Sequence, residues 1–199
     1  MEAILMKVFE GLKPFARTLI NYVGNGYVYC QISHIPEGKM DEIKKIDKKL
    51  TKKYQTDLTQ GQRQHRKRKG LCNYKALRFY NLILILKTTG EDELKEDWEN
   101  ILGKEIVFVR LSVVVFRDER GKLTLRIGKT YLREIRHTLD NIISKQKKKE
   151  FNEIITLLYN LSRTARYRGI QIQISNILRE IKAMQKLHGT NYKIREFFN

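Results

Sequence analysis

At 199 residues, with 41% hydrophobic residues and only 2 prolines, the chain suits one domain with a helical appendage and is too apolar for a disordered tail. Two cysteines, Cys30 and Cys72, exclude a disulfide scaffold, and no apolar run reaches the length of a membrane span. The 40 Lys+Arg against 22 Asp+Glu leave a formal charge of +18, a self-repulsion that points to a polyanionic partner and makes nucleic acid the first expectation. The opening residues Met1-Glu2-Ala3-Ile4 lack the basic-then-apolar layout of a secretory signal, so a cytoplasmic location without membrane association is expected.

Apolar residues recur near every 3.6 positions over residues 3–23, which predicts a buried helical stripe broken or kinked at Pro14. Gly24-Asn25-Gly26 signals a turn, and residues 27–33 then alternate with period two, as a half-buried strand does. Ile43, Ile46, Leu50 and Tyr54 step by three and four, while Lys44, Lys45, Lys48, Lys49, Lys52 and Lys53 occupy the other faces. That spacing predicts a helix with one buried edge and a broad cationic surface. Residues 56–73 carry almost nothing apolar and are expected to form a mobile basic loop.

Residues 76–87 read as a central strand, and residues 91–102 as a short helix with Leu94, Trp98, Ile101 and Leu102 inward. Residues 105–117 and 122–127 flank Asp118-Glu119-Arg120-Gly121, a hairpin whose glycine suits the left-handed position of a short loop. Three helices follow, marked by Ile135 and Leu139, by Phe151, Ile155 and Leu158, and by Ile174, Ile177 and Ile181. The order implies an α+β fold: a four-stranded, mainly antiparallel sheet with helices on one face and a C-terminal segment of about three helices. Residues 1–128 form the sheet domain with the basic insertion 56–73, residues 129–189 the helical segment packed on it, and residues 190–199 a tail.

The charge is local. Residues 39–75 hold 13 Lys+Arg against 4 Asp+Glu, whereas residues 91–99 hold six carboxylates against the single Lys95. Lys48, Lys52, Arg63, Arg66, Lys67, Arg68 and Lys69 are the expected phosphate contacts, since cations released onto phosphates give affinity without reading bases. A sheet with helices on one face leaves the other open. Strand alternation places Tyr27, Tyr29, Tyr80 and Phe108 on that face, interleaved with Arg78, Arg110 and Arg126. Unpaired bases stack on such rings, so RNA is favoured over DNA: Tyr27, Tyr29 and Tyr80 would stack, and Arg78, Arg110 and Arg126 would orient the strand.

No catalytic constellation accompanies these residues. Cys30 and His34, four apart in a strand, lie roughly 13 Å from each other at about 3.3 Å per residue, too far to share a zinc ion. Glycine-rich phosphate loops of the GxxxxGK or GxGxxG type and the GxSxG elbow are absent. Glu91, Asp92 and Asp97 are the least poor ligands for a two-metal phosphodiesterase. The order of elements over residues 4–147 resembles a homing endonuclease core with the basic region inserted between its first two strands. The first helix departs from that family in lacking its paired small residues and terminal acidic residue, and no family is assigned.

The sequence thus reads as a non-catalytic nucleic-acid binder that requires no cofactor, possible partners being RNA, DNA and other proteins of a nucleoprotein complex. Two alternatives stand beside it: a metal-dependent nuclease or mobile-element nucleic-acid-processing protein, the one case in which Mg2+ would enter, and a structural subunit of a ribonucleoprotein.

Overall fold

The computed structural model describes residues 6–108, 111–164 and 167–194. The protein is mixed α+β, and the chain divides into two compact units, Met1–Lys104 and Glu105–Asn199. Its strands form two sheets, one of five strands and one of three, not the single four-stranded sheet expected over residues 1–128. Among the described residues no helix is long and apolar enough to cross a membrane.

In the first unit β1 (Lys7–Phe9), β3 (Tyr74–Phe79), β4 (Leu82–Lys87), β2 (Tyr29–His34) and β5 (Glu99–Asn100) lie side by side in that order. β1 runs parallel to β3 and the other pairs are antiparallel. The stretch expected to be wholly helical therefore begins as a strand, and α1 (Leu12–Gly24) starts only at Leu12. Pro14 falls in its first turn, where a missing N–H leaves no intrahelical bond unmade, so no kink results. The single strand expected over residues 76–87 is a hairpin, turning at Tyr80 with φ +52° and pairing Phe79 with Leu82.

Both faces of this sheet are covered. Phe15 of α1 meets Phe79 at 5.4 Å between ring centroids, placing α1 over the face that carries Leu77 and Leu84. The opposite face bears Ala76, Ile83 and Ile85, which form a buried cluster with Tyr54 and Tyr74 against Ile43, Ile46 and Leu50 of α2 (Ile43–Tyr54). All six residues of β4 are consequently buried, as a central strand covered twice must be. Asp47 of α2 reaches the same face and accepts from Arg78 Nε and Nη2 at 3.0 Å each, a bidentate pair with side chains only 7% and 11% exposed.

Two further sequence expectations change in this unit. Residues 60–68 are helix α3 (Gln60–Arg68), not a loop. Its N-terminus is closed by a capping box, Thr59 Oγ1 accepting from the Gln62 N–H and Gln62 Oε1 from the Thr59 N–H. Residues 91–98, expected to be helical, form an irregular strap leading into β5. The spacing of Leu94, Trp98 and Ile101 imitates a helix, but the segment turns at Glu93–Leu94, Lys95 takes φ +50°, and its carboxylates engage the cations described below.

The second unit holds β6 (Glu105–Phe108), β7 (Leu111–Arg117) and β8 (Leu123–Ile127) in one antiparallel sheet, followed by α4 (Lys129–Ser144), α5 (Lys148–Thr164) and α6 (Arg168–Leu187). The expected hairpin over 118–121 is present: Asp118 N–H donates to Lys122 and Gly121 takes φ +72°. Val107, expected inward, is exposed, whereas Phe108, expected outward, is buried with Ile106. The single strand read over 105–117 is in fact two strands, and the break between them reverses the alternation. α6 packs on β8, where Gly169 has no room for a Cβ beside the Leu125 carbonyl and the Phe116 ring. One turn on, Gln173 accepts from the Ile127 N–H at 2.6 Å and donates to its carbonyl at 3.0 Å. Of the expected tail, Tyr192 is held by Phe151 at 4.9 Å between centroids and by Gln185, while residues 195–199 lie outside the described set.

Because Arg78 is shielded by α2, removing its counter-charge strands a buried guanidinium. Asp47→Ala is expected to destabilise the first unit by about 3–5 kcal/mol. The fluorescence of Trp98, the single tryptophan of the chain, reports that unit in urea unfolding.

Candidate nucleic-acid interface

The charged residues of the first unit fall into two populations. One is paired. Lys87 is buried at the end of β4 and donates to Asp92 Oδ2 at 3.0 Å, with the Trp98 ring 5.0 Å and the Tyr29 ring 5.4 Å from its ammonium. Asp92 Oδ1 accepts from the Tyr74 hydroxyl and from the Leu94 N–H. Along the same strap Glu93 takes Arg66 at 2.6 Å, Glu96 takes Lys53 at 2.5 Å and the Tyr54 hydroxyl at 2.9 Å, and Glu99 takes Lys104. The acidic run thus binds cations contributed by α2, α3 and β4 and by its own C-terminal flank.

The other population has no partner. Lys44, Lys48, Lys49 and Lys52 on α2, with Lys67, Arg68 and Lys69 at the end of α3, are exposed and enter no ion pair among the described residues. α2 keeps one edge for the sheet, so its lysines can only point away from it. α3 buries no residue at all. Its position comes from side-chain bonds, chiefly Arg63 Nη2 to the Thr56 carbonyl at 2.7 Å and Arg66 Nε to the Cys72 carbonyl at 3.1 Å. Arg63 and Arg66, read from sequence as phosphate contacts, therefore anchor the helix, while Lys67, Arg68 and Lys69 stay outward.

The residues expected to form a stacking platform are arranged otherwise. Strand alternation does put Tyr29 and Arg78 on one face, but α2 occupies it. Tyr27 precedes β2 and is buried, 5.8 Å from Tyr22 between ring centroids. Tyr80 is 56% exposed at the β3–β4 turn, where its hydroxyl donates to the Glu10 carbonyl. Arg126 belongs to the second unit, with its guanidinium 5.0 Å from the Phe116 ring. Phe108 is buried in that unit, and Arg110 lies outside the described residues. Within the first unit Tyr27 is buried, Tyr29 and Arg78 lie on the face that α2 covers, and Tyr80 stands at the turn.

The carboxylates named as metal candidates are spread along the strap. Asp92 is occupied by Lys87 and Tyr74, and Asp97 is exposed with its carbonyl accepting from Gln31. Among the described residues no three His, Cys, Asp or Glu side chains gather as a metal site. Cys30 and Cys72 are free and buried, and burial, followed by the nearby Glu99 carboxylate, pushes the Cys30 thiol up to about 11.

One cationic group was not visible in the sequence. Lys7 on β1 and Lys75 on β3 both lean on the Tyr22 ring, their ammonium groups 5.5 and 5.4 Å from its centroid. The parallel register that pairs Lys7 with Leu77 puts both lysines on the α1 face. Arg63 completes the group. Burial first, then repulsion from Arg63 and Lys7, pulls the Lys75 ammonium down to about 8. Beside Arg63 opens a cleft of about 560 Å³, lined by Tyr27, Gln60, Gln64, Lys67, Asn73 and the turn Thr88-Thr89-Gly90.

Compared with known proteins, the chain matches no family model and no curated sequence. Its mixed α+β class is thus the level at which the fold is defined, and the arrangement of charge is what bears on its function.

The strap sets a pH limit. Burial alone would raise the Asp92 and Glu96 carboxyls, but hydrogen bonds outweigh it, from Tyr74, Lys87 and the Leu94 N–H in one case and from Lys53 and Tyr54 in the other, and hold both below the usual range. Such groups stabilise the fold above the ordinary carboxyl pKa and lose that contribution as pH falls through the lowered folded values. The first unit is expected to weaken progressively below about pH 4. Urea midpoints measured against pH should show this acid limb, and Asp92→Asn should flatten it.

Proposed function

We propose that the protein binds nucleic acid through the cationic outer surface of α2 and the C-terminal end of α3. The observation that carries this reading is the sorting of charge: the acidic strap engages Lys53, Arg66, Lys87 and Lys104, while Lys44, Lys48, Lys49, Lys52, Lys67, Arg68 and Lys69 have no counter-ion among the described residues. The strap could equally have neutralised the outer surface, and it faces the sheet end instead. Seven exposed cations on two successive helices suit a phosphate backbone, where counterion release supplies affinity.

With the sheet covered on both faces, stacking of unpaired bases gains no support, so the preference for RNA expected from the sequence is not carried forward. Phosphate contacts of this kind bind with little base discrimination. The proposed role is that of a backbone-binding protein without a reaction of its own.

The test is the salt dependence of binding. The slope of log affinity against log salt is expected to shrink by about three to four on replacing Lys48, Lys52, Arg68 and Lys69 together by alanine, each lost phosphate contact removing a little under one. Fluorescence anisotropy with labelled single- and double-stranded oligonucleotides measures it. An unchanged slope in a variant with wild-type stability rejects the reading.

A further inference from the structure

We infer that Lys7, Arg63 and Lys75 form a binding site for a phosphomonoester, the doubly charged phosphate of a strand end or of a nucleoside monophosphate. Lys7 of β1 and Lys75 of β3 lie against Tyr22, whose ring is 5.8 Å from that of Tyr27 in the cleft that Arg63 of α3 lines, and among the described residues no carboxylate pairs with any of the three. Lys75 and Arg63 are half-buried and Lys7 is exposed, whereas the shielded cations Arg66, Arg78 and Lys87 each have a carboxylate at 3.0 Å or less.

Such a group is unfavourable by itself. Lys75 is partly withdrawn from water and repelled by Arg63 and Lys7, with the neutral ring of Tyr22 5.4 Å from its ammonium. An anion bound there would relieve that repulsion. Arg63 carries a second sign of incompleteness: its Nε–H is shielded from solvent and has no hydrogen-bond partner among the described residues.

The chemistry of the ligand follows from charge and space. An internal phosphodiester carries one negative charge, whereas a phosphomonoester carries about 1.5 to 2 at neutral pH and offers three acceptor oxygens. Three convergent cations match the latter. The cleft beside Arg63, about 560 Å³ and lined by amide side chains and a buried tyrosine, falls within the range of small-molecule sites and can take the sugar and base attached to that phosphate. The site itself stands independently of the proposed function, and only the strand-end source rests on that reading.

The experiment combines stability with end-dependent binding. In phosphate-free buffer at pH 7, Lys75→Met is expected to raise the melting temperature. The lowered folded pKa of Lys75 means that its charge weakens the fold below about pH 8, and that this effect fades as pH rises toward the ordinary lysine value. Added inorganic phosphate should raise the melting temperature of the wild type and not that of Lys75→Met or of the edge variant Lys7→Gln. The wild type should bind a 5′- or 3′-phosphorylated oligonucleotide about tenfold tighter than the same oligonucleotide with free hydroxyl ends, the scale of one charge-assisted hydrogen bond, and Lys75→Met should erase that ratio.

Binding of a nucleoside monophosphate without any end preference would uphold the site and identify its ligand as the free nucleotide. An equal phosphate response in wild type and both variants would overturn the proposal. The quadruple variant of α2 and α3 separates the two readings: it should weaken binding of every strand and keep the end ratio, whereas Lys75→Met should leave the salt slope unchanged.

Discussion

The first unit depends on what happens at the end of β4. A strand buried on both faces finishes in Lys87, whose ammonium has little access to water and must find an anion within the protein. Asp92, five residues on, supplies it, and the Tyr74 hydroxyl and the Leu94 N–H fill the remaining acceptor positions of the carboxylate. Once Asp92 is held there, the residues after it are drawn across the sheet end, where Glu93 reaches α3 and Glu96 reaches α2. The strap that follows this desolvated ion pair thereby ties the sheet end to two helices, α2 held otherwise by its apolar edge and α3 by the bonds of Arg63 and Arg66.

The same constraint divides the charge. Buried pairs such as Lys87–Asp92 and Arg78–Asp47 are costly to break and contribute to which arrangement forms more than to how stable it is. Carboxylates committed to them are unavailable to the outer surface. Among the described residues Lys44, Lys48, Lys49 and Lys52 of α2 and the end of α3 therefore remain uncompensated because the unit uses most of its acids elsewhere, and the surface that results is a by-product of core electrostatics as much as of local composition.

How much of this is legible in the sequence differs by element. The period of Ile43, Ile46, Leu50 and Tyr54 predicts α2 and its buried edge, Gly121 predicts the hairpin loop, and the apolar spacing over residues 129–189 predicts three helices. β1 is hidden because Val8 and Phe9 continue the apolar spacing of α1, and only a parallel partner seventy positions away distinguishes strand from helix. α3 is hidden for the opposite reason: it has no apolar face, and its evidence is the Thr59-x-x-Gln62 capping box and the bonds of Arg63 and Arg66 to distant carbonyls. The candidate surface was read correctly as to exposure for Lys48, Lys52, Lys67, Arg68 and Lys69. The open sheet face was not, because alternation tells which residues share a face and not whether a helix lies on it.

Gln173 has a consequence of a different kind. Its side-chain amide meets the backbone of Ile127 with one bond in each direction, the pairing an incoming strand would make at that residue. The outer margin of β8 is thus sealed at this point by a side chain from α6. A rim left bare there would be a template for another copy's backbone and for fibrous assembly. A single glutamine, invisible to any count of charge or apolar surface, occupies at Ile127 the backbone positions that another strand would need.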